Sequence, residues 1–148
     1  MSAARERWLP VYRRAVYRVG DVESGFTLSP DQPSAGLRAL FAEHGVDTAA
    51  FLTACNPGSR ALGAAANAER TARLDAELAA RGLQWRAGEG ADPDGDWPPE
   101  PSRLVLGMAR DQAQALARAF GQNAMLWIGP DAVPRLVWTG ETDMEDSR

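Results

Sequence analysis

Hydrophobic and polar positions recur along the chain with two different periods, and the period marks the element. Residues 97–127 read WPPEPSRLVLGMARDQAQALARAFGQNAMLW. They hold a proline-stiffened lead-in, an apolar run at Leu104, Val105 and Leu106, an amphipathic segment, and a second apolar run over 124–128. Ala113, Leu116, Ala117 and Phe120 keep the i, i+3, i+4, i+7 spacing of a core-facing helix. Asp111 lies in its first turn, where negative charge is favoured, and Gly121 supplies the stop. A strand, helix, strand unit of this kind requires a sheet and a second layer to cover it.

The same reading extends to the rest of the chain. Residues 12–19 and 26–29 are short runs of β-formers around GDVESG, which predicts a hairpin. Ser34 is a fitting N-cap for a helix that carries Leu37, Leu40 and Phe41 on one face and stops at Gly45. The apolar run over 50–55 breaks at Asn56 and Pro57, too short for a helix, and reads as a buried strand. Asn67 then opens a helix with Leu74, Leu78 and Ala79 inward. Glu69, Arg73, Glu77 and Arg81 form i,i+4 pairs on its outer face, and Gly82 ends it. Residues 83–86 make a short strand; were it parallel to the strand before the helix, the crossover would be right-handed. Residues 124–128 and 135–138, joined by GPDAVP, predict a closing antiparallel hairpin, with Trp127 and Trp138 as core or face-covering residues. The expected fold class is α/β (α+β): a single domain over residues 12–138, with a mixed sheet of about six strands and three main helices. A basic, partly flexible stretch, 1–11, precedes it, and an acidic disordered tail, 139–148, follows.

Composition removes whole classes of chemistry. At 148 residues the chain is one domain's length, and no apolar run approaches the ~20 residues of a membrane span. The N-terminus has no apolar signal-peptide region, so a cytoplasmic protein is expected. Cys55 is the only cysteine and His44 the only histidine, so one chain can build neither a disulfide nor a Cys/His zinc cluster. All 16 basic residues are arginine, which excludes Schiff-base lysine chemistry and the P-loop lysine. No metal or other cofactor is expected. His44 falls in the last turn of its helix, where the dipole favours a surface histidine. Asp92, Asp94 and Asp96 alternate as in a calcium loop, but Trp97 and Arg103 stand where glycine and glutamate are needed, so an Asp/Gly/Pro turn cluster is the reading. The net charge of -4 argues against nucleic-acid binding by the surface as a whole, although Arg5, Arg7, Arg13, Arg14 and Arg18 make the first 18 residues basic.

Four blocks carry a likeness to a known family: TACNPGSR, NAERTARLDAELAARG, GEGADPDGDWPPEPSRLVLG and FGQNAMLW. In order and spacing, across about residues 12–138, the chain resembles the bacterial family catalogued as domain of unknown function 3293. Where a TAWNP-like version has an aromatic, Cys55 stands here, as a packing residue. The resemblance implies a small bacterial protein and assigns no activity and no catalytic residue.

Candidate site residues come from the corners of the elements. In NPGSR, Asn56, Ser59 and Arg60 follow a strand; turn N–H groups, the hydroxyl and the guanidinium could hold a phosphate or carboxylate. The alternative is a capped strand end with a solvated Arg60. Glu100 and Ser102 precede one strand and Gln122 and Asn123 another, either as a polar cleft with Glu100 as a general base or as loop anchors. NPGSR and the Gln122–Asn123 corner need not meet if the strands are parallel, and Glu100 and Ser102 share the edge of Gln122 and Asn123 only if the helix is short or the pairing antiparallel. Because Pro98, Pro99 and Pro101 stiffen its backbone, Glu100 is expected to be largely buried, with Arg60, Arg70, Gln122 or a nearby backbone N–H as donor. The leading expectation is a protein that binds a polar or anionic small molecule, as an enzyme or otherwise. The second is an interaction module whose Arg-rich N-terminus binds a protein or nucleic acid.

Overall fold

In the computed structural model, which describes residues 3–21 and 23–139, the chain opens with helix α1 (Ala3–Arg14) and strands β1 (Val16–Val19) and β2 (Phe26–Leu28). Helix α2 (Ala35–His44), strand β3 (Ala49–Thr53), a 3-10 turn (Pro57–Ser59) and helix α3 (Ala64–Ala80) follow. The chain continues through strands β4 (Trp85–Ala91) and β5 (Glu100–Leu106), helix α4 (Arg110–Ala119), and strands β6 (Ala124–Ile128) and β7 (Pro134–Trp138). Most of the acidic tail, residues 140–148, lies outside the described residues. No helix among the described residues is long and apolar enough to cross a membrane.

The strands form one sheet in the order β2-β1-β4-β5-β3-β6-β7, and every pairing is antiparallel. Two expectations are thereby corrected: the described sheet has seven strands rather than six, and it is not mixed. The two strand, helix, strand units are present, but each straddles a strand of the other. β3 and β4 run the same way with β5 between them; β5 and β6 run the same way with β3 between them. Periodicity gives the face of each strand but not its neighbour, which is why pairing direction was open.

A fourth helix, α1, replaces the start of the strand expected over 12–19. Trp8, Val11, Tyr12 and Ala15 do keep a helical i, i+3, i+4, i+7 spacing. Pro10, which forfeits a backbone bond inside the helix, and the surrounding arginines mask it. Helices α2 and α4 begin and end close to their expected places, but α3 starts at Ala64 after Gly63, so Asn67 lies inside its first turn and is not its N-cap. Gly45 closes α2 at φ 65°, its N–H bonded to Phe41 O.

Alternation along the strands creates two cores. On one face Leu37, Leu40 and Phe41 of α2 cover Phe51, Leu104 and Leu126. On the other, Leu74 and Leu78 of α3 and Leu116 of α4 cover Leu52, Val105 and Met125. Arg103 ties α3 to β5 through a two-pronged pair with Asp75, at 2.7 and 3.0 Å.

Ser34 caps α2 as its sequence position predicts: its Oγ accepts from Leu37 N at 3.1 Å, and the residue is buried. Ser34→Ala removes that acceptor and should cost about 1 kcal/mol in urea unfolding, while Ser34→Asp should recover most of it.

Candidate functional site

The antiparallel register decides where the candidate corners go. Thr53, at the end of β3, faces Ser102 near the start of β5; Glu100 faces Gly90 near the end of β4; Phe51 faces Leu126 near the start of β6. One edge of the sheet therefore collects the ends of β3 and β4 and the beginnings of β5 and β6. α1 lies over this edge and, with Ala15 just after it, presents Trp8, Val11 and Tyr12 to a cavity of about 210 Å³. Five aromatic side chains line it: Trp8, Tyr12, Tyr17, Phe51 and Trp97. Its polar lining is Thr53, Asn56, Ser59, Glu100, Ser102 and Gln122.

Glu100 is half-buried, and its partner is Asn56, whose Nδ2 donates to Oε2 at 2.6 Å. None of the donors expected from the sequence takes that place. Asn56 cannot turn its amide round, because its Oδ1 already accepts from Leu62 N at 2.8 Å and Asn67 Nδ2 at 2.9 Å. Asn67 Oδ1 in turn accepts from Asn56 N at 3.0 Å. Asn56 holds a left-handed backbone, φ 48°, an uncommon conformation that asparagine tolerates better than most residues. Among the described residues no second donor reaches the Glu100 carboxylate. Burial raises its pKa, and the Asn56 hydrogen bond only partly offsets this.

The NPGSR segment is a structural clasp more than an anion cradle. Gly58 N donates to Gly121 O at 2.7 Å, Ser59 N to Asn56 O at 2.9 Å and Arg60 N to Pro57 O at 3.2 Å, so these turn donors already have acceptors. Arg60 is exposed and does not line the cavity. Arg70 instead grips carbonyls from both corners, donating to Ala54 O at 2.6 Å and to Phe120 O. The Gln122 amide does the same, to Cys55 O at 2.9 Å and Phe120 O at 3.2 Å. Asn123 does not line the cavity, but it donates to Ser59 Oγ at 3.1 Å, and Ser59 is hydrogen-bonded to the Tyr12 hydroxyl. That bond, with Tyr17 OH donating to Tyr12 O, fastens α1 over the cavity.

Both tyrosines remain neutral phenols at ordinary pH. Burial raises the pKa of Tyr12 against the bonds from Ser59 and Asn123, and Glu100 adds to the rise. Burial raises Tyr17 further, with Tyr12 and Glu100 contributing. Cys55 is buried, its Sγ near Thr71 Oγ1 and Pro101 O. His44 stands away from the cavity, its Nε2 2.7 Å from Arg86 Nη2. Asp92 caps its own turn, accepting from Asp94 N and Asp96 N. Of the basic N-terminal residues, Arg13 lies 3.9 Å from Asp31, Arg14 3.6 Å from Asp94 and Arg18 3.9 Å from Glu89.

Of the residues singled out in the sequence, Asn56, Ser59, Glu100, Ser102 and Gln122 meet at the cavity, and Asn123 supports it. Sequence reasoning missed Trp8, Tyr12, Tyr17, Phe51, Thr53 and Trp97. The stripe through Trp8 and Tyr12 was the available signal for the cover.

A family model described as Protein of unknown function (DUF3293) matches residues 52–125, half of the chain, and the chain belongs to that family. The matched stretch carries the polar lining from Thr53 to Gln122, whereas Trp8, Tyr12, Tyr17 and Phe51 precede it. No curated protein and no solved structure matches the chain.

Two stability measurements follow from this geometry. A carboxyl whose folded pKa is raised contributes its full stability below its unfolded pKa, near 4.5 here, and loses it as the pH rises through the folded value. Glu100→Gln keeps an acceptor for Asn56 and removes the buried charge. Its melting temperature should exceed that of the wild type at about pH 8, and the gap should close by about pH 4. A lower value at the higher pH would show that the charge stabilises the fold. At Gly121, φ is 72° and an added Cβ would stand 2.8 Å from Pro57 Cβ. Gly121→Ala should therefore cost at least about 1–2 kcal/mol in chemical denaturation.

Proposed function

We propose that this member of the DUF3293 family binds a small molecule in the cavity between α1 and the sheet edge, its apolar body against the rings and its polar group against Glu100. One observation carries the reading: a carboxylate with a single neutral donor among the described residues, Asn56, lines a cavity whose other walls are largely aromatic and aliphatic. Such a combination, an apolar chamber with a few fixed polar groups and a perturbed ionisable residue, is the usual form of a ligand site. A purely structural Glu100 would gain from a second donor, and none among the described residues reaches it.

The chemistry favours binding over nucleophilic catalysis. Ser59 has a neutral tyrosine and an asparagine as partners and no base beside it. Glu100 is the group placed to move a proton if the bound molecule offers one. An anionic ligand is disfavoured, because no arginine among the described residues lines the cavity. A docking role for the N-terminus is also less favoured, since Arg13, Arg14 and Arg18 face carboxylates of the same chain.

Trp8 and Trp97 report directly on occupancy. A fragment set of small monocyclic compounds should contain members that change tryptophan fluorescence saturably and raise the melting temperature. Ala124 lines the same chamber, so Ala124→Phe should fill it, keeping the fold and abolishing the response. Undiminished binding by a folded Ala124→Phe variant would place the ligand elsewhere.

A further inference from the structure

The polarity of the wall narrows the ligand further, given the cavity reading above. Thr53 Oγ1 donates its hydrogen to Pro101 O at 2.7 Å, and Ser102 Oγ donates to Glu100 O at 3.0 Å. The Gln122 amide is bound to Cys55 O and Phe120 O. These groups have placed their hydrogens on backbone carbonyls, so what they offer the cavity is oxygen lone pairs. Glu100, with one donor from the described residues, offers more. Apart from the Tyr12–Ser59 hydroxyl pair and the indole N–H groups of Trp8 and Trp97, the polar wall around Glu100 therefore presents acceptors.

Charge points the same way. Among the described residues Glu100 is the one acidic or basic residue in the lining, and the Tyr12 and Tyr17 phenols stay neutral. Several arginines on the surrounding elements are turned to other partners, and Arg60 is exposed outside the cavity. Arg70 binds carbonyls, Arg103 binds Asp75, Arg86 lies against His44, and Arg7 lies over the Trp8 ring at 4.9 Å. Arg13, Arg14 and Arg18 face Asp31, Asp94 and Glu89. A half-buried carboxylate with no cation beside it among the described residues is best compensated by a cation from outside. Ring faces attract the same species through their quadrupoles.

We infer that the ligand is a small organic amine in its cationic form, its ammonium group against Glu100 and its hydrocarbon or aryl body against Trp8, Phe51 and Trp97. A cavity of about 210 Å³ suits a single ring with a short chain. Amine binding is then linked to the charge on Glu100. Protonation of the carboxyl removes the counter-ion, so amine affinity falls as the pH falls through the Glu100 pKa, which lies above 4.5. Tyr12 and Tyr17, the other titratable groups facing it, stay neutral throughout that range.

Three probes of nearly one shape separate the possibilities: phenethylamine, phenethyl alcohol and phenylacetate, titrated into the full chain with tryptophan fluorescence and calorimetry as readouts. Phenethylamine should bind at least about tenfold more tightly than the alcohol at about pH 8, with phenylacetate weakest. Lowering the pH to about 4 should erase the advantage of the amine and leave the alcohol unchanged. Glu100→Gln should cost the amine about tenfold and the alcohol little. If the alcohol or phenylacetate binds the wild type as tightly as the amine, the amine class is overturned while the cavity reading stands. The same holds if a folded Glu100→Gln binds the amine undiminished. If none of the three gives a saturable response, and no other monocyclic fragment does, both readings fail together.

Discussion

The pairing of β3 with β5 is the constraint on which the rest depends. These two strands sit side by side near the middle of the sheet, buried on both faces, and their antiparallel register sets Thr53 opposite Ser102. From that pairing, the loop after β3 and the lead-in to β5 must leave the sheet at the same edge. Asn56 and Glu100 then come within hydrogen-bonding distance although they belong to separate units of the chain. Shift the register by one residue and the side chains exchange faces, carrying Phe51 and Ser102 away from the cavity.

Around that edge the structure separates two tasks that both use polar groups. Carbonyls left open where β3 and α4 end are gathered by Arg70 and Gln122, which makes the clasp rigid and leaves little for a ligand. Glu100 belongs to the other task. Its backbone is stiffened by Pro98, Pro99 and Pro101, and its carboxyl is oriented by an asparagine whose own amide is fixed from behind. Preorganisation of this kind lowers the entropic cost of holding a partner, and the cost of desolvating the charge falls on the fold until that partner arrives.

Much of this was legible in the sequence, and the remainder was hidden for identifiable reasons. Ser34, Gly45, Gly82 and Gly121 mark helix ends through local backbone chemistry, which is readable without a fold. Asn56, Ser59, Glu100, Ser102 and Gln122 stood out because polar residues at strand ends have no core role. Their convergence could not be read, since it depends on pairing direction between segments far apart in the chain. Arg60 misled because an arginine after a proline-glycine turn resembles an anion site, while the neighbouring N–H groups had already found carbonyls. α1 was missed because the proline and the arginines outweighed a four-residue apolar stripe. With it went the aromatic half of the cavity.

The interleaving of the two strand, helix, strand units also governs how the chain reaches this state. Neither unit can close its own sheet: β3 and β4 wait for β5 between them, and β5 and β6 wait for β3. Loop-closure entropy must be met for both before the central ladder rewards either, which favours slow, highly cooperative folding with few stable halfway forms. The stretch shared with the family, 52–125, begins inside β3 and ends inside β6. Cut out by itself it would expose two torn strand edges and lack α2, the cover of one core, so the matched stretch is smaller than the unit that folds.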